Sequence, residues 1–457
     1  MSARQPLRVA IVGVGPAGAY AAEHLLRCGE DVQVELFDRL PTPWGLVRSG
    51  VAPDHQNTKG VIDQFAWTAA DSRVRLHLHT EIGTDITHVD LAALHHAVVY
   101  ATGAPHSRSL GIAGEDLPGS MGAAEFVAWY NGHPEFAGLE VNLSHDRVVI
   151  VGNGNVALDI ARILTLPVER LRCTDIADHA LEALAQSRIR EVVVVGRRGP
   201  EQAAFTTPEL LGLQQTGVRI DIVPADALRP APADSQRGDP VRAYATALKV
   251  QTLREIAQAP QVGGHRRVVL RFGAVPVALH GSGRVEAIDL ALTRNEYDAT
   301  GVPQLVVTNE IERLSAGLVL RSIGFASQPI SGLPFDETGQ RLPNRDGRLL
   351  GTDGDPVPGV YATGWVKRGS SGVIGTNKEC ALRAVTALLQ DYRAGQLPTP
   401  SGDRAALDSL LDAHQPHRVD LHGWWAIDRV ERERGLEAGR PRIKLTAVDE
   451  LLAAAAR

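Results

Sequence analysis

At 457 residues the chain exceeds a single ordinary core, and about 100–200 residues per domain suggests two or three domains, with two as the working number. Its 44% hydrophobic and 22% charged residues are those of a globular chain able to bury sizeable cores, so disorder is not the default, and a net charge of −6 argues against a general nucleic-acid-binding surface. The opening seven residues are too short and polar for a secretory leader, and no stretch reaches the roughly 18 apolar residues of a membrane span, so a cytoplasmic protein is expected.

Residues 7–12 (LRVAIV) form a short apolar, β-branched run of the kind that makes a buried parallel strand. Gly13-Val14-Gly15-Pro16-Ala17-Gly18 follows at once, then an Ala- and Leu-rich helix over 17–28, then a strand over 32–37 ending in Asp38, 20 residues past Gly18. This is the context that gives a G-x-G-x-x-G turn its meaning. Gly13 permits the tight turn, Gly15 lets backbone approach a pyrophosphate, and Gly18 lets helix and strand pack closely. The helix N-terminus offers free N–H groups to phosphate, and Asp38 accepts hydrogen bonds from a ribose.

The pattern recurs. Residues 147–151 (RVVIV) predict a strand, Gly152-Asn153-Gly154-Asn155-Val156-Ala157 its turn, and residues 157–166 a helix, with alanine replacing the third glycine. The following strand, 191–195, ends in Gly196-Arg197-Arg198 and carries no terminal acid. An acid at the ribose position repels a 2′-phosphate, whereas guanidiniums pair with it, so the first site suits FAD and the second NADPH. The alternative is that Arg197 and Arg198 are a solvated surface pair. Because Arg197 lies 43 residues beyond Gly154, an insertion at about 167–188 is expected between helix and strand.

The three cysteines, Cys28, Cys173 and Cys380, form no C-x-x-C pair, which disfavours electron transfer through a redox disulfide; scattered buried thiols are the simpler reading. Val98-Val99-Tyr100-Ala101-Thr102-Gly103 and Gly359-Val360-Tyr361-Ala362-Thr363-Gly364-Trp365 both read as strands running into small-residue turns.

Longer motifs narrow the reading. Pro43-Trp44-Gly45-Leu46-Val47-Arg48, Val51-Ala52-Pro53-Asp54-His55, residues 152–159 (GNGNVALD), residues 196–206 (GRRGPEQAAFT), Gly364-Trp365-Val366-Lys367-Arg368, residues 372–378 (GVIGTNK) and the tail at 423–442 occur in an order and spacing that resemble adrenodoxin reductase and its bacterial ferredoxin–NADP reductase relatives. The resemblance implies an α/β fold with two Rossmann-like dinucleotide-binding domains: a discontinuous FAD domain from residues 1–106 and 322–457, with an NADPH domain, 107–321, inserted into it. It also implies FAD contacts at Gly13, Gly15, Ala17, Gly18, Asp38, Leu46, Ile82, Trp365, Gly372, Val373 and Ile374. NADP contacts fall on Asn153, Gly154, Asn155, Val156, Arg197, Arg198, Glu209 and Gly372.

His55 and Glu209 match polar residues that family members place near the reacting rings, Glu209 as a nicotinamide or ribose anchor with acid–base work as the other option. No metal site is implied. Ser49 replaces an aromatic, and Ser370-Ser371 replaces a Pro-Thr pair; both changes are expected to loosen the loop beside the flavin.

The activity implied is NADPH oxidation with electrons delivered singly to a small acidic iron–sulfur ferredoxin, with Arg237, Arg242 and Lys249 as candidate docking cations. Other readings are an NADPH diaphorase or quinone reductase without a protein partner and a non-turnover NADPH-binding redox sensor. An electron-delivering synthase subunit is disfavoured, since its cysteine-rich cluster motifs are missing.

Overall fold

A computed structural model describes residues 5–228, 240–260, 265–297 and 303–457. The chain divides into two compact units: residues 1–106, 131–137 and 325–457 in one, and 107–130 with 138–324 in the other. The two-crossing division drawn from sequence lacks the excursion at 131–137. Lys444 explains that excursion, because its Nζ donates to the Asn131 backbone oxygen at 2.9 Å and binds this stretch to the C-terminal tail.

The first unit is built on a seven-stranded sheet. Strand Leu7–Val12 lies at the centre of its five parallel strands, flanked by Val32–Asp38 and Ala97–Tyr100, with Val74–Leu78 beyond the former and Pro356–Ala362 beyond the latter. Two short antiparallel strands, Arg348–Leu350 and Asn344–Arg345, finish one edge. All six residues of Leu7–Val12 are buried, as a strand covered on both faces requires. Alternate side chains go to different cores. Leu7, Val9 and Ile11 meet Leu25, Ala381, Val385 and Trp424, whereas Ala10 and Val12 meet Phe37, Tyr100, Leu91 and Leu407. Helices Pro16–Leu26, Ile374–Arg393 and Leu421–Glu437 supply the first set, and His88–Leu94 and Arg404–His414 the second. The two small-residue segments found in the sequence are neighbours: Val360 pairs with Val98 and Ala362 with Tyr100.

The second unit repeats the arrangement. Its six strands run in parallel in the order Ser120–Gly122, Leu318–Arg321, Arg147–Val151, Glu191–Gly196, Arg267–Phe272 and Arg219–Val223. On one face, Val149, Val151, Val193 and Val195 pack against Leu279, Ile288 and Leu290 of a separate antiparallel sheet, Ala274–His280, Ala287–Tyr297 and Pro303–Ser315, which the sequence reading does not contain. The anticipated insertion is present as two short helices, Val168–Arg172 and Asp178–Ala185. Among the described residues no helix is long and apolar enough to cross a membrane.

Candidate nucleotide-binding sites

In the first unit the chain leaves Val12 through Gly13, whose φ of +101° is the left-handed region and whose hypothetical Cβ would sit 2.5 Å from the Ala101 oxygen. No side chain fits there. At Gly18 a Cβ would lie 2.0 Å from the Gly13 oxygen, so the helix is drawn against the turn. Gly15 differs, having only the Cα of Gly45 within reach, at 3.9 Å. Its outer face is open.

Helix Pro16–Leu26 begins immediately, with proline at its first position, one residue before the sequence reading starts it, and with no side-chain cap on its N-terminal amides. Ala17 is buried on its first turn. Asp38 closes the adjoining strand and accepts hydrogen bonds from the Val14 amide at 2.8 Å and the Leu40 amide at 3.1 Å. Burial pushes its carboxyl up, and those amides and Arg39 only partly offset the rise.

The loop bearing Leu46 lies directly on this turn. The Trp44 amide donates to the Val14 oxygen at 2.8 Å, and Leu46, 39% exposed, opens a one-turn helix after Gly45. Beneath it, Arg48 donates to both Glu431 oxygens at 2.8 and 2.5 Å and lies over the Trp424 ring. Glu431, fully buried, also accepts from Arg442 at 3.1 Å and the Leu445 amide at 2.9 Å. Its burial raises the carboxyl, but Arg48 and Arg442 outweigh that and hold it below the usual range. The tail stretch around 423–442 is thus the clamp of the 44–49 loop.

Trp365 is half-buried, stacks on Phe325 at 5.3 Å, and donates through Nε1 to the Ser371 oxygen at 3.0 Å. Arg368 donates to the same oxygen at 3.0 Å and to Asn377 Oδ1 at 3.0 Å. Ser370 does not loosen this loop. Its hydroxyl donates to the Phe325 oxygen at 2.9 Å and accepts from the Phe325 amide at 3.0 Å, a reciprocal tie that proline, lacking a hydroxyl, cannot make. Gly372 and Val373 are exposed and Ile374 half-buried, at the start of helix Ile374–Arg393. Ile82 is half-buried against the second core of this unit. His55 is half-buried at the start of helix Gln56–Lys59.

In the second unit Gly152 repeats the role of Gly13, with φ of +111° and a hypothetical Cβ 2.1 Å from the Ser322 oxygen. Gly154 has nothing within 4 Å, and helix Asn155–Thr165 starts there without a side-chain cap. Asn153 and Asn155 tie the turn to the segment before helix Thr207–Gln214: the Phe205 amide donates to the Asn153 oxygen at 2.9 Å and the Thr206 amide to Asn155 Oδ1 at 2.8 Å. Val156 is half-buried on the first helical turn.

Glu209, in the first turn of helix Thr207–Gln214, lies 3.7 Å from Arg162, which also pairs with Asp159 at 2.8 Å. Sequence reasoning assigned no role to Asp159 or Arg162. The signal was available: they stand three apart on the helix leaving the glycine turn, so they share a face. Arg197 and Arg198 follow strand Glu191–Gly196, and both are exposed. Their backbone oxygens accept from Thr293 Oγ1 at 2.7 Å and the Gly273 amide at 3.4 Å, while neither guanidinium has a partner among the described residues.

These features fit two dinucleotides. Each turn presents an open glycine and an uncapped helix N-terminus where a pyrophosphate's charge is stabilised, and among the described residues only the second has unpaired guanidiniums beside it.

Two further expectations change. Lys249 is buried, its Nζ bonded to the Ala203 oxygen and lying over the Phe205 ring, because this face of helix Pro240–Gln258 turns inward with Val250 and Leu253. It is not a docking cation. Arg237 and the Arg242 side chain lie outside the described residues. Of the three cysteines, all free, only Cys380 is fully buried and Cys173 is exposed, since its short helix lies on the surface.

Residues 7–197 match the family model described as pyridine nucleotide-disulphide oxidoreductase. The chain is 48% identical over 454 residues to a probable ferredoxin/ferredoxin–NADP reductase of Mycobacterium tuberculosis, covering 99% of this chain and 76% of that protein. It is 41% identical over 468 residues to the mitochondrial NADPH:adrenodoxin oxidoreductase of Arabidopsis thaliana, covering 99% and 96%. Its structure resembles that of Mycobacterium tuberculosis FprA in complex with NADPH, with a TM-score of 0.93 at 41% identity and coverage of 99% and 100%.

Proposed function

The chain belongs to the family of adrenodoxin reductase-type ferredoxin–NADP reductases, and from that membership we infer that it is an FAD-dependent enzyme passing electrons between NADPH and a small iron–sulfur ferredoxin. One observation carries the assignment of cofactors to units. The first glycine turn adjoins a strand ending in an acid held by backbone amides, and the second adjoins a strand ending in two exposed guanidiniums that have no partner among the described residues. The first unit therefore holds FAD, and the inserted unit NADPH, selected by its 2′-phosphate.

In the balanced reaction one NADPH and two oxidised ferredoxins give NADP+, one proton and two reduced ferredoxins. Bound flavin supplies the conversion between paired and single electrons. The residues of this chain bind and orient. Gly15, Gly154 and the two helix N-termini receive the pyrophosphates. Trp365, with its indole fixed by Ser371 and Phe325, provides a wall beside the flavin. Glu209, steadied by Arg162, anchors the nicotinamide end of NADPH. His55 serves as a hydrogen-bonding group toward the flavin. The proposed compartment is the cytoplasm, where NADPH and ferredoxins meet.

The test is an anaerobic visible spectrum followed by coupled turnover. Flavin absorption should bleach with NADPH and far less with NADH, and cytochrome c reduction should rise steeply when ferredoxin is added. Turnover with dyes or quinones that ignores added ferredoxin identifies a diaphorase instead, and protein that cannot be reconstituted with flavin ends the reading.

A further inference from the structure

The parallel sheet of the second unit has a charged edge at the end opposite its glycine turn. Four adjacent strands are paired so that Arg147, Glu191, Arg267 and Arg219 form one row across the sheet at the strand beginnings. Neighbouring strands lie roughly 5 Å apart, so Arg267 and Arg219 are brought side by side by the register itself. Arg190 and Arg266 precede this row in their strands, and His265 precedes Arg266. Together they line an open cleft of about 260 Å³.

The charge of the cleft does not cancel. Glu191 is shared between Arg147 and Arg267, and Asp221 between Arg219 at 2.8 Å and Arg267 at 3.4 Å. The remaining lining acid, Asp146, points to His145 at 3.1 Å. Arg266 is held by the Leu164 and Leu166 oxygens at 3.1 and 3.2 Å, at the end of helix Asn155–Thr165. Arg190 and His265 are exposed and have no side-chain partner among the described residues. Five guanidiniums thus face two lining carboxylates and a third, Asp221, beside them.

We propose that this cleft is a second anion site, distinct from the nucleotide site, that takes a small multivalent oxyanion: a phosphate or pyrophosphate group, free or at the end of a phosphorylated molecule. Guanidinium forks match such oxyanions bidentately. The cleft is roomy enough for such a group. The cleft stands at the start of the Arg147–Val151 and Glu191–Gly196 strands, while Gly152 and Arg197 follow their ends. Five residues of strand separate the two sites by about 16 Å, so a bound dinucleotide leaves the cleft open.

The experiment is calorimetric titration of the FAD-loaded enzyme saturated with NADP+, using orthophosphate, pyrophosphate and glycerol 3-phosphate at matched ionic strength with chloride as reference. Saturable binding is expected that Arg190→Ala weakens about tenfold and Arg190→Ala with Arg219→Ala weakens further, since a charge-assisted bond is worth about one decade or more in affinity. Preference for orthophosphate or pyrophosphate over glycerol 3-phosphate identifies a free ion as the ligand, and the reverse a phosphorylated metabolite. Loss of binding on saturation with NADP+, equal binding by the double variant, or an effect that chloride reproduces each overturns the proposal. Arg190→Ala removes no side-chain contact among the described residues, so an unchanged unfolding temperature without anion separates lost binding from lost folding.

Discussion

Replacing Arg197 and Arg198 with alanine, singly and together, is the sharpest test of the cofactor assignment. Both side chains are exposed and neither has a partner among the described residues, so their removal should leave stability within about 0.5 kcal/mol. A charge-assisted hydrogen bond contributes about 1.5–3 kcal/mol net, and exposure puts each guanidinium at the lower end. Two together give about 3 kcal/mol, or roughly a hundredfold in kcat/KM for NADPH, with about tenfold for each single change. NADH has no 2′-phosphate, so its kcat/KM should move less than about twofold. Steady-state ferricyanide reduction with each nucleotide measures both numbers in one assay. Equal losses for NADPH and NADH, or a double variant that keeps the wild-type ratio of NADPH to NADH, would refute the assignment of the second turn to a phosphorylated dinucleotide.

Gly154→Val should yield a stably folded protein that has lost NADPH binding, because its side chain meets open space in the protein, whereas Gly152→Val should destabilise the second unit, where a Cβ would lie 2.1 Å from the Ser322 oxygen; thermal unfolding and NADPH titration separate the two outcomes. Glu431→Gln leaves Arg48 and Arg442 buried without their shared counter-charge, and breaking such a pair costs about 3–5 kcal/mol, visible as a lower urea midpoint and faster flavin loss. A variant that matches wild type in both would show that the tail does not clamp the 44–49 loop.

Glu35 is buried, which by itself raises its carboxyl, but His77 at 2.7 Å and Arg75 at 2.9 Å bring it down to about 2. Its folded value is depressed, so its stabilisation of about 3 kcal/mol is complete above the ordinary glutamate range and disappears as pH falls toward 2. The stability difference between wild type and Glu35→Gln should therefore shrink between neutral pH and about pH 3; a constant difference would contradict this.

The two glycine turns were legible in the sequence because their physics is local. Gly13 and Gly152 must be glycine where the backbone turns back on itself, and Asp38 and Arg197 stand where the next apolar strand run ends. An insertion at about 167–188 likewise followed from counting residues between turn and strand end, but its two helices came only from the structure. The loop after Trp365 shows the limit of that method. A substituted Ser370 read as a loosening, yet its hydroxyl meets the backbone of Phe325, 45 residues away, and no local pattern announces that meeting.

What the chain's own order of residues determined is the pair of strand–glycine-turn–helix cradles and the charge that ends the strand beside each, since strand, turn, helix and terminal charge all lie within one contiguous segment apiece. Tertiary structure alone decided that Glu431 closes on Arg48 across 383 positions, that Lys249 turns into the protein, and that Arg147, Glu191, Arg267 and Arg219 line up along one sheet edge. Parallel strands order themselves by crossover and burial and not by sequence distance, so the neighbours of a charge at a strand's first residue exist only once the sheet has formed.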